Sequence, residues 1–226
     1  MVLCIDTATA DSGISLVSSD KSLGYIALEQ MNASENIIKS IDKLISQSNI
    51  SLSDLKGVMV IKGPGSFTGL RVGISVANQF AHQLKIPIIG LTTDEWYKYR
   101  TDEKDFVYLQ TMNRDEVYMV VYGDIKTPPV IPDPNPVIPT PLVIPAQAGI
   151  YPLQKIIDTN KPFKYLGQLS DVHREKLSHL DEITELRSPE DTWKKAVQSI
   201  FNQNYKKYDL IEPFYGKEPT ITKSKK

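Results

Sequence analysis

The sequence predicts an α/β protein with a mixed β-sheet in its first half and a second lobe after it. Three features carry that reading. Three short β-like segments open the chain, separated by polar residues and Gly; two later apolar runs alternate with segments of helical periodicity; and a fresh antiparallel pair begins beyond residue 105.

The opening segments are Val2 to Ile5, Gly13 to Ser18 and Leu23 to Leu28, a three-stranded meander. Ser34 then stands as a cap for a helix to about Gln47, because Ile37, Ile38, Ile41, Leu44 and Ile45 recur on one helical face. Gly57-Val58-Met59-Val60-Ile61 is short and β-branched, as a strand buried on both faces should be. A glycine-rich turn leads into a helix from about Thr68 to Leu84, and Ile86 to Leu91 supplies the next strand. The order β-β-β-α-β-α-β is the plan of one ribonuclease-H-like lobe.

The second half starts with Phe106 to Met112 and Glu116 to Tyr122, joined by a loop of hairpin length. From about 127 to 152 the composition turns to Pro, Val and Ile, with Val130-Ile131-Pro132, Val137-Ile138-Pro139 and Val143-Ile144-Pro145 as near-repeats. Proline removes backbone donors, so this stretch reads as an exposed insert or linker. Leu153 to Thr159 reads as a short helix and Phe163 to Leu166 as a short strand. Ser188-Pro189-Glu190-Asp191 then opens a helix with the apolar face Trp193, Ala196, Val197, Ile200 and Phe201. The lobes are accordingly placed at 1–100 and 101–226.

In 226 residues, 26 Lys plus Arg stand against 27 Asp plus Glu, so no long-range field draws the chain to nucleic acid or membrane. The single cysteine, Cys4, has no internal partner, which fits a reducing compartment; the start lacks secretory features, and cytoplasm is the expected location.

Gly63-Pro64-Gly65-Ser66-Phe67-Thr68-Gly69 between strand and helix first suggests a phosphate site. It ends in Gly69-Leu70-Arg71 and so fails the Walker pattern, and the dinucleotide spacing also fails. The spacing favours a structural turn: Gly63, Pro64 and Gly65 bend the chain, Ser66 and Thr68 cap, and Arg71 sits at the surface. Asp6-Thr7-Ala8-Thr9 could face a cleft or form an ordinary turn, and no metal site is predicted. His82, His173 and His179 lack ligand spacing and read as surface or packing residues. Along the second helix Gly69, Gly73, Ala77 and Ala81 form a small-residue stripe for close approach, with Leu70 and Phe80 among its apolar neighbours. One neighbour of this helix is the sheet; the other is left open between the first helix and another subunit.

Ile5-Asp6-Thr7-Ala8-Thr9 and the run Gly63 to Gly73, supported by Ile88 to Thr93, Arg114 to Tyr118 and Pro213-Phe214-Tyr215, resemble the TsaB (YeaZ) family. The resemblance implies an actin-like (ASKHA, Hsp70-related) two-lobed fold and a non-catalytic partner role. Such a subunit pairs with the catalytic paralogue TsaD. Together with the ATPase TsaE it supports threonylcarbamoyladenosine formation next to the anticodon of tRNAs reading codons that begin with A. No cofactor is then bound stably by the chain alone; ATP, magnesium and the TsaD metal belong to the complex, and tRNA is met indirectly. The family's first two helices form its dimers, with a homodimer of the isolated chain left open. Carried over, the interface is Ile37, Ile41 and Leu44 with Gly69, Leu70, Gly73, Ala77, Phe80 and Ala81. The competing readings are an autonomous actin-like ATPase or kinase, holding a magnesium nucleotide at Asp6 and the glycine turn, and, with little support, a metallopeptidase.

Overall fold

The computed structural model describes residues 1–19, 21–29, 33–125, 148–158, 162–200 and 209–216. The three Val-Ile-Pro repeats and the lysine-bearing tail lie outside these residues.

Two compact units emerge. The first holds Met1–Asp102 and Thr184–Phe214, the second Glu103–Ile183 and residues from Tyr215. The sequence reading carried the second lobe from 101 to the end, whereas the structure returns Thr184–Phe214 to the first unit.

In the first unit a five-stranded sheet has the order β3-β2-β1-β4-β5, built from β1 (Val2–Asp6), β2 (Gly13–Val17), β3 (Ser22–Ala27), β4 (Gly57–Gly63) and β5 (Ile88–Thr92). The meander pairs antiparallel, and β1-β4 and β4-β5 are parallel. β1 and β2 are buried along their whole length, as a strand covered on both faces requires. Helices α1 (Ala33–Gln47) and α2 (Phe67–Leu84) pack against each other and the sheet. Ile37, Ile41 and Leu44 of α1 turn inward, so its apolar stripe is spent on the core.

A further helix, α3 (Thr93–Lys98), follows β5 directly and was not anticipated. Its signal was present in Thr92-Thr93-Asp94-Glu95: the Thr92 N–H donates to Glu95 Oε2 at 2.8 Å and the Glu95 N–H to Thr92 Oγ1 at 3.4 Å, a reciprocal cap.

The second unit repeats the topology. Its sheet order is β10-β9-β6-β7-β8, from β6 (Phe106–Thr111), β7 (Glu116–Tyr122), β8 (Ala148–Pro152), β9 (Lys164–Gln168) and β10 (Asp181–Glu182). An antiparallel meander, β6-β7-β8, is again extended by parallel strands on the other side of its first strand. α4 (Leu153–Ile157) precedes β9 and α5 (Asp171–Lys176) precedes β10. β8 corrects the sequence reading, which gave 127–152 wholly to an insert: Ala148-Gly149-Ile150-Tyr151 lacks proline and keeps its ladder donors. Val107, Leu109, Val117, Met119, Tyr151, Ile156, Tyr165 and Leu177 share this unit's core.

After β10 the chain rejoins the first unit, where α6 (Pro189–Ile200) packs on β2 and β3. Its Trp193 is fully buried with its ring 5.8 Å from that of Trp96 on α3. The expected Ser188 cap forms, with the Asp191 N–H donating to Ser188 Oγ at 3.1 Å.

Candidate functional site

The two segments with the most chemistry in the sequence meet at the C-terminal ends of β1 and β4. Asp6 closes β1 and folds its carboxylate back on its own turn. Oδ1 accepts from the N–H groups of Ala8 at 2.8 Å and Thr9 at 3.0 Å, and Oδ2 accepts from the Thr9 hydroxyl. Burial pushes the Asp6 pKa up, while the bonds from Thr9 and Ala8 pull it back. Asp11 also turns to its own unit, where it meets Arg100.

The glycine turn lies directly on this loop. The Ser66 N–H donates to the Ala8 carbonyl at 3.0 Å, and Thr7 Oγ1 donates to the Gly69 carbonyl at 2.7 Å. Ser66 caps α2 by accepting from the Gly69 N–H, as expected. A Cβ at Gly65 would stand 2.7 Å from the Ala8 carbonyl oxygen; one at Gly69 would run into the Thr7 carbonyl, and one at Gly73 into Thr7 Oγ1. Gly63, at φ +117°, occupies backbone space that a side chain would strain. Thr93 Oγ1 donates to the Pro64 carbonyl at 2.5 Å and fixes the turn from α3.

The glycine turn packs closely on Thr7 and Ala8, and the Ser66 and Gly69 N–H groups are bonded within the chain. Both Asp6 carboxylate oxygens accept bonds from their own turn. Gly69 and Gly73 of the small-residue stripe serve the approach of α2 to β1 and its turn, and Ala77 and Ala81 are buried.

Of the carried-over interface residues, Ile37, Ile41, Leu44, Leu70, Ala77 and Ala81 are each 3% exposed or less, Gly73 is buried, and Gly69 and Phe80 are half-buried. Within this chain most of these side chains pack inward. Apolar periodicity marks the face of a helix that seeks a core, and here that core is the chain's own. Ile38, which the sequence reading placed on the apolar face of α1, is instead 53% exposed, and Phe67 at the start of α2 is 48% exposed. Arg71 is exposed as expected, with its guanidinium 4.0 Å from the centroid of the Phe67 ring. Phe67 was not singled out in the sequence, although it is the one aromatic residue of the glycine turn.

In the second unit, His173 is buried. Its Nδ1 lies 2.9 Å from Thr111 Oγ1 and its Nε2 2.9 Å from the Arg114 carbonyl, so it ties α5 to the β6-β7 hairpin as a packing residue. His82 and His179 are exposed. Among the described residues, no group of three or more His, Cys, Asp or Glu is placed to hold a metal ion, and no helix is long and apolar enough to cross a membrane.

Together these features define a two-unit α/β protein in which the head of α2 packs on the turn after β1. A YeaZ-like protein of Pseudomonas aeruginosa superposes with a TM-score of 0.69 at 15% identity, covering 96% of this chain and 99% of that one; a second YeaZ structure from that organism gives 0.62. The family model for TsaD, tRNA N6-adenosine threonylcarbamoyltransferase, matches residues 28–128. The tRNA threonylcarbamoyladenosine biosynthesis protein TsaB of Bacillus subtilis is 25% identical over 181 residues, 78% of this chain and 74% of that protein. TsaB of Escherichia coli is 32% identical over 92 residues, 41% of this chain and only 40% of its own length. The chain is thus similar to TsaB proteins in sequence and to YeaZ structures in fold.

Proposed function

We propose that this chain is a non-catalytic subunit in the formation of threonylcarbamoyladenosine in tRNA, pairing with a TsaD-type protein. The names of its TsaB relatives support the pathway. The observation that supports the non-catalytic role is the close packing of the glycine turn on Thr7 and Ala8, which fits a structural part for that motif.

The docking face is the outer surface of α1 and α2, centred on Ile38, Phe67 and Arg71. A half-exposed aromatic ring under a guanidinium is the kind of anchor on which interfaces concentrate their energy. TsaE and nucleotide join the assembly through the pair, and tRNA is met by the partner. The cytoplasm is its place of work.

Co-elution with TsaD from the same cell tests the reading. Wild-type chain is expected to form a stoichiometric complex. Phe67→Asp should weaken it at least tenfold without changing the chain's own unfolding. No complex, even with nucleotide and TsaE present, would overturn the proposal.

A further inference from the structure

Residues Asp209–Phe214 belong to the first unit and bond to it through the backbone at Ile211 and Phe214. The Asn78 side-chain amide on α2 bonds one residue twice: Nδ2 donates to the Ile211 carbonyl at 2.9 Å, and Oδ1 accepts from the Ile211 N–H at 3.0 Å. Three residues on, the Phe214 N–H donates to the Lys62 carbonyl at the end of β4 at 2.6 Å. The intervening Pro213 has no N–H to satisfy.

The groove is shaped for this backbone. A Cβ at Gly90 on β5 would press within 3.0 Å of Ile211 Cγ2, and a side chain at Gly63 would collide with the Phe214 carbonyl. Ile211 is half-buried between Gly90 and Asn78, while its neighbours Leu210 and Glu212 point outward, Leu210 being 68% exposed. Main-chain bonds that supply attachment, with one side chain seated between them, are how an extended peptide is read by a receptor surface.

We propose that α2 and the ends of β4 and β5 form a peptide-recognition groove for an extended segment of the type aliphatic-x-Pro-aromatic, whose resident ligand is the chain's own Asp209–Phe214. Asn78 reads the backbone, Gly90 admits the aliphatic side chain, and Lys62 accepts from the aromatic residue's N–H. A tethered ligand is present at high effective concentration, so the resident segment outcompetes any free peptide of the same sequence.

The test uses the full chain and a fluorescent peptide matching residues 209–215. Ile211→Arg, which sets a cation beside Lys62, disables the resident segment. This variant should bind the peptide, read by anisotropy, at least tenfold more tightly than wild type, and Asn78→Ala added to it should weaken uptake at least tenfold. A folded Ile211→Arg chain that takes up no peptide, or takes up a scrambled one equally, overturns the proposal. Where Ile211→Arg does not fold, hydrogen exchange on the single Asn78→Ala chain decides. Loss of protection of tenfold or more at the Ile211 and Phe214 amides with α2 unchanged supports a separable ligand; unchanged protection at those amides, or α2 opening with them, overturns it.

Discussion

Arg100 and Arg187 hold each other by the backbone. The Arg100 guanidinium donates through Nε at 3.1 Å and Nη2 at 3.0 Å to the Arg187 carbonyl, while the Arg187 N–H donates to the Arg100 carbonyl at 2.8 Å. Arg100 also pairs with Asp11 and lies over the rings of Trp96 and Tyr97. Arg187 in turn reaches the Tyr99 carbonyl and Asp102, and Lys195 joins at Asp102. This exchange fastens the returning segment Thr184–Phe214 to the first unit.

Arg100→Leu should therefore destabilise the chain by about 2–3 kcal/mol, because it leaves the Arg187 carbonyl without its guanidinium donors and Asp11 without its main cation. Urea unfolding measures this. Arg100→Lys is expected to recover less than half, since an ammonium cannot serve the Arg187 carbonyl and Asp11 in the same fork geometry.

Ala77→Trp separates the inner from the outer face of α2. Ala77 has no exposed surface, so the indole should overpack the contact with the sheet and cost about 1–3 kcal/mol or more. The expected result is a lowered unfolding midpoint of the isolated chain. An unchanged midpoint would contradict the inward orientation of the small-residue stripe.

Asp6 is expected to leave a pH signature. Its folded pKa is raised by burial, so the native state holds this proton more tightly than the unfolded chain does. Its contribution is fully present below the unfolded value near 3.8 and is lost as pH rises through the higher folded value. Asp6→Asn keeps an oxygen for the Ala8 and Thr9 N–H groups and should flatten that part of the stability-pH curve. Asp6→Ala removes an acceptor of three bonds and should cost about 2–3 kcal/mol at neutral pH.

Nucleotide binding gives an independent check. Calorimetry of the isolated chain with ATP and magnesium at millimolar ligand should show no saturable heat if the glycine turn is structural, as its packing on Thr7 and Ala8 supports. Saturable binding there would restore the reading of the chain as an autonomous ATPase or kinase.

Strand and helix placement in the first hundred residues was legible because each element carries its own local signal. β-branched apolar runs gave β1 and β4, helical periodicity gave α1 and α2, and Ser188 with Pro189 marked the start of α6. α3 carried an equally local signal in the reciprocal cap of Thr92 and Glu95, which the reading passed over. In the motif at Gly63 to Gly73 the Ser66 cap was legible, but the residues the motif contacts were not. A row of small side chains states that something comes close without saying what. Only the parallel pairing of β1 with β4 brings Thr7 and Ala8 against Gly65, Gly69 and Gly73.

The sequence by itself determined the order of elements, the glycine turn and the apolar faces, because these depend on neighbours within a few residues. The tertiary structure decided which face of α1 and α2 is spent on the core, that 184–214 rejoins the first unit, and that Ile211 meets Asn78. Each of these rests on pairs distant in the chain, for which no local periodicity exists. Contacts such as Arg100 with Arg187 and Asn78 with Ile211 come from strand pairing and chain return, and a helical wheel carries no record of either.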